Sequence, residues 1–152
     1  MKRRLLIGAV LLVAVLLAER REFLFINLNY QIDHLSRGTP FSYAHSAFRS
    51  FVAGWSLQAL TALKWCMSLV YIAVNALLAL ALARLLHGDH RYAKPILLII
   101  GAVALAALLF HALGYLFTGG MGIAVMLLHM VQYPVVLLVL LVSSSLSRPR
   151  TG

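Results

Sequence analysis

Charge is what this chain has least of. Its 152 residues include only four acids, Glu19, Glu22, Asp33 and Asp89, and charged residues make up 11% of the total, where a soluble domain carries about 25%. So few charges cannot cover the surface of a water-soluble fold, which excludes a free-standing soluble domain. Cysteine is nearly absent as well, and the single Cys66 rules out an internal disulfide. There is no Gly-rich phosphate loop, no H-E-x-x-H helix, no G-x-S-x-G turn and no pair of cysteines. The carboxylates form no catalytic pair, because Glu19 and Glu22 stand one helical turn apart beside Arg20 and Arg21 and read as a charged interfacial turn.

What is abundant is apolar surface. Hydrophobic residues reach 62%, well above the roughly 45–50% of soluble domains, and this places the chain among integral membrane proteins. Four apolar runs stand out, at 5–18, 65–83, 95–117 and 121–142. A spanning helix needs about 20 apolar residues, so the last three qualify by length. The first is shorter and follows Met1-Lys2-Arg3-Arg4, as a signal peptide would. Its end, Leu16-Leu17-Ala18-Glu19-Arg20, is a poor cleavage site, and the apolar pattern resumes at Phe23, Leu24, Phe25, Ile26 and Leu28. An uncleaved first span is expected, its charged turn snorkelling to the interface. Pro95 suits the first turn of span three. Thr118-Gly119-Gly120 allows only a tight hairpin between spans three and four, and Pro134 should kink span four near Met130.

The net charge of +9 would suggest nucleic acid in a soluble chain. Here the basic residues flank apolar runs, where they orient helices and meet anionic headgroups. With the N-terminus inside, the cytoplasmic segments hold Lys2, Arg3, Arg4, Arg84, Arg91, Lys94, Arg148 and Arg150. Outside lie Arg20, Arg21, Arg37, Arg49 and Lys64, diluted over residues 19–64. Both termini are therefore expected in the cytoplasm.

Residues 19–64 form the one long connection. Arg37-Gly38-Thr39-Pro40 supplies a turn. Beyond it Phe41, Ala44, Phe48, Phe51, Val52, Trp55 and Ala59 recur at helical spacing, with Ser42, His45, Ser46, Arg49, Ser50 and Gln58 opposite. The pattern predicts an interfacial amphipathic helix over about 40–62, capped by Thr39 with Pro40 in its first turn. Its rival is a fifth span over 41–63, which would bring Arg49 to bilayer depth.

Candidate sites are few. His111 and His129 fall at matched depth in spans three and four, where a pair of imidazoles can bind a metal or haem, or simply hydrogen-bond between helices. Two histidines without a third ligand make a weak metal site. Cys66, with Arg49 and one of those histidines, is the alternative of an outer-face thiol enzyme. His87, Asp89 and His90 read as a solvated turn around Gly88. Asn75 lies mid-span in helix two and fits a helix–helix contact, within the chain or with a partner. Phe48, Phe51 and Trp55 are the aromatic candidates for a partner surface.

Arg21-Glu22-Phe23-Leu24-Phe25 follows the first span, and Asn75 stands within Tyr71-Ile72-Ala73-Val74-Asn75-Ala76-Leu77-Leu78. In this order of parts the chain resembles the small four-span membrane proteins that accompany bacterial exosortases, with Asn29-Tyr30-Gln31-Ile32-Asp33 loosely matching their acidic aromatic loop. The resemblance implies a non-catalytic accessory to a membrane transpeptidase that processes sorting signals. Trp65-Cys66-Met67-Ser68 does not resemble the exosortase's own cysteine motif. The expectation is an all-α integral membrane protein of one domain over 1–152, with four transmembrane helices plus one external interfacial helix. It would sit in the bacterial inner membrane, partnered by lipid and another integral membrane protein, without cofactor, metal or catalytic residues.

Overall fold

The computed structural model describes residues 2–88, 92–114 and 120–146. All regular structure among the described residues is helical: α1 (Lys2–Arg37), α2 (Ser46–Phe51), α3 (Leu57–His87), α4 (Ala93–Leu113), α5 (Gly120–Gln132) and α6 (Val135–Leu146). The expectations for Asp89, His90, Arg91, Thr118, Gly119, Arg148 and Arg150 lie outside the described residues.

The helix α1 runs for 36 residues without a break at the charged turn. The reason is phase. Ile7, Val10, Leu11, Ala14, Leu17, Ala18, Arg21, Leu24, Phe25, Leu28, Gln31 and Ile32 are buried or half-buried and follow one another at steps of three and one, with Asn27, Asp33 and His34 covered in addition. That stripe crosses from apolar to polar sequence in register, so one helix serves both halves.

Among the described residues two helices, α3 and α4, are long and apolar enough to cross a bilayer, and α5 with α6 adds a third span if the bent pair is counted as one. Four is thus not met by length and composition. The apolar run 5–18 is the one that falls short: 14 residues rise only about 21 Å, against a hydrocarbon core of about 30 Å. The α5–α6 pair bends by 57°. Pro134 has no N–H for the Met130 carbonyl, and the helix breaks at Tyr133-Pro134 rather than merely curving.

The described chain divides into two compact units. The first, Met1–Leu16 with Ile72–Gly152, has a core of Ala14, Ala79, Leu82, Ala83, Ile96, Ile100, Val131 and Leu137. Three alanines there let helices approach closely, which is how helices associate where lipid removes the hydrophobic drive. Arg3 closes one end, donating from Nη2 to the Leu86 carbonyl at 2.7 Å and from Nε to that of Leu85. These carbonyls lie in the last turn of α3, at the negative end of the helix dipole, where a guanidinium is well placed.

The second unit, Leu17–Tyr71, is built on Leu28, Ala44, Phe48, Val52 and Leu60. It corrects the interfacial helix expected over 40–62. The chain turns at Gly38 (φ 62°), makes only the six residues of α2, turns again at Gly54 (φ 78°) and starts α3 at Leu57. Positive φ suits glycine and ends a helix. Ser56 then begins a new helix, its hydroxyl accepting the Ala59 N–H at 3.2 Å. The same break removes a continuous fifth span over 41–63. Nor does Thr39 cap the helix: its hydroxyl meets His34 and the Phe41 carbonyl, while the His45 side chain accepts the Ala47 N–H at the start of α2.

Candidate functional site

The sites expected from sequence are distributed as follows. Asn75 is buried, and its Nδ2 donates to the Gln132 carbonyl at 2.8 Å. Gln132 is the last residue of α5, where helical carbonyls run out of donors, and an Asn75 N–H supplies one from within this chain. Phe48 is likewise buried, in the core of the second unit. Of the aromatic set, Phe51 (71% exposed) and Trp55 (39%) stand at the surface, their rings 6.2 Å apart.

His129 is exposed and meets Tyr133 edge-on at 5.9 Å, whereas His111 is half-buried in the last turn of α4. The helices α4 and α5 that carry them pack against each other. No group of three or more His, Cys, Asp or Glu side chains among the described residues is arranged to hold a metal ion. Cys66 is exposed and free on α3, and among the described residues it donates no hydrogen bond.

Residues 17–71 bring together groups that periodicity did not flag. Arg21 is buried although charged, its guanidinium 4.8 Å above the Phe25 ring, and Phe25 meets Tyr71 edge-on at 6.0 Å. The stripe of α1 carries the signal for this burial, since Arg21 is seven residues from both Ala14 and Leu28. Asn27 is buried too. Its Nδ2 donates to the Phe23 carbonyl at 2.7 Å and its Oδ1 accepts the His45 N–H, which ties the start of α2 to α1.

Two clefts flank α2. One is apolar, about 410 Å³, lined by Phe23, Leu24, Phe48, Phe51, Leu63 and Met67 among others. The other is polar, about 440 Å³, lined by Gln31, His34, Ser42, Ser46, Arg49 and Ser50. The spacing places the serines and Arg49 on the polar face of the expected helix. The expected turn at Gly38 is present (φ 62°), and what the spacing does not show is that the polar face shares a cleft with Gln31 and His34 of α1.

No protein-family model matches the chain, and the searches of curated proteins and of solved structures likewise return no match.

Proposed function

We propose that this protein is a non-catalytic accessory subunit in the bacterial inner membrane, working through contacts with another integral membrane protein. The observation that carries it is the surface around Phe51. This phenylalanine is 71% exposed at the rim of an apolar cleft, beside Trp55. An aromatic left so open next to a preformed apolar recess concentrates binding energy when a partner covers it. The chain would have four spans with both termini cytoplasmic: the first is the 5–18 half of α1, the fourth the bent α5–α6 pair. Clustering of Lys2, Arg3, Arg4 and Arg84 at segment ends supports that orientation.

An exosortase-type transpeptidase is the partner we propose, on the Arg21-Glu22-Phe23-Leu24-Phe25 turn, Asn75 and the order of segments. The test is photo-crosslinking from a benzophenone amino acid at position 51, with the chain co-expressed beside such a transpeptidase. A single adduct between the two proteins is expected, competed by the unlabelled chain. Adducts with lipid alone would refute the assignment.

A further inference from the structure

The first unit has a groove between α1 and α3, about 440 Å³ in volume. Leu6, Ala9 and Val13 of α1 form one wall, and Leu78, Ala81 and Leu85 of α3 the other. Both sets step by three or four residues, so each wall is a single helix face. From Leu78 to Leu85 the groove follows α3 for about 10 Å. Leu6 is 53% exposed and Val13 44%, so the recess is open along its length. Inside a bilayer an open apolar recess of this kind takes an acyl chain.

One end of the groove is basic. Arg84 lines it as well, is exposed, and makes no side-chain hydrogen bond or ion pair with any described residue. The Arg3 bonds to the Leu85 and Leu86 carbonyls set the first turn of α1 beside the last turn of α3. Lys2 precedes Leu6 by one turn and therefore stands on the groove face of α1, whereas Arg4, two residues further on, stands on the opposite face. The apolar run of α3 closes at Ala83, so Arg84 marks the level where hydrocarbon gives way to headgroups. No carboxylate lines the groove among the described residues. An apolar recess that ends on two cations complements an amphiphile with an anionic head. A zwitterionic head fits less well, because it carries its own cation to the same place.

We propose that this groove binds one molecule of an anionic glycerophospholipid, with an acyl chain between α1 and α3 and the phosphodiester on Arg84 and Lys2.

Native mass spectrometry of the full chain in an uncharged detergent tests this, with equal amounts of dioleoyl phosphatidylglycerol and dioleoyl phosphatidylcholine. The two probes share their chains and differ in head charge. A single-lipid adduct is expected, favouring phosphatidylglycerol about tenfold or more. Arg84→Gln and Lys2→Gln should each lower that preference about fivefold, the attraction of one cation for an anionic lipid surface. Arg84→Lys should keep most of it, and Arg4→Gln should leave it unchanged. Ala9→Trp places an indole in the groove and should remove the adduct, and Val13→Trp gives a second block should the first variant lose wild-type circular dichroism. Equal binding of both lipids by the wild-type chain would overturn the assignment, as would equal losses for Arg84→Gln and Arg4→Gln. An undiminished phosphatidylglycerol adduct on a folded tryptophan variant would overturn it too, since charge alone would then hold the lipid.

Discussion

Asn75 Nδ2 donates to the Gln132 carbonyl at 2.8 Å, joining the middle of α3 to the end of α5 just before the Tyr133-Pro134 break. One side-chain amide thus supplies a donor where the helix has stopped supplying its own. Nearby, the Tyr133 N–H reaches the His129 carbonyl at 3.0 Å and the Leu138 N–H reaches that of Pro134 at 3.1 Å, so helical bonding closes on one side of the break and reopens on the other.

Asn75→Leu should therefore destabilise the chain by about 1 kcal/mol, in the range of polar contacts between membrane helices. Thermal unfolding in detergent, followed by helical circular dichroism, reads the change. A variant as stable as wild type would show that the bond contributes nothing net.

Gly54 is a separate test of the second unit. Its φ is 78°, yet a Cβ placed there would meet nothing within 4 Å. Gly54→Ala thus isolates backbone strain from packing, and a loss of about 1–2 kcal/mol is expected. Gly101, a helical position with equally open space, provides the control: Gly101→Ala should not destabilise.

Phe48 and Phe51 are three residues apart and should behave in opposite ways. Phe48→Ala removes a buried core ring and should cost about 3–5 kcal/mol of stability. Phe51→Ala, with Trp55→Ala, should leave stability nearly untouched and reduce co-purification with the transpeptidase named above. Equal recovery of the partner by wild type and double variant would sink the Phe51 surface.

His111→Leu and His129→Leu should each cost about 0.6 kcal/mol, the average for a polar contact between membrane helices. The purified protein should show no Soret band. A band lost in both variants would make the protein a haem-binding subunit instead.

Cysteine-accessibility mapping on a Cys66→Ser background should find positions 2 and 148 protected from a membrane-impermeant thiol reagent in intact cells. Labelling of position 148 from outside would contradict the proposed orientation.

The sequence alone determined the class. Hydrophobic content of 62% with 11% charge leaves no surface for a soluble fold, and long apolar runs without water to satisfy their backbone must be helical. Residues 65–83 and 95–113 were legible as helices for that reason, and the turn at Gly38 and the interruption at Pro134 follow from the backbone limits of glycine and proline. Local signals failed where several helix starts competed. The aromatic spacing from Phe41 to Ala59 is helical throughout, yet Gly54 and Ser56 divide it, because a left-handed residue followed by a capping hydroxyl outweighs continued periodicity. Only the tertiary structure decided which side of each helix is covered. Phe48 and Phe51 look alike in sequence, and Asn75 suits an inner or an outer contact equally well. Burial depends on what packs opposite, and the turns that bring Leu28 and Leu60 into one core with Phe48 are not encoded in the spacing of any single helix. The polar cleft has the same origin: Gln31 and Arg49 are 18 positions apart, and with the turn at Gly38 between them both line it.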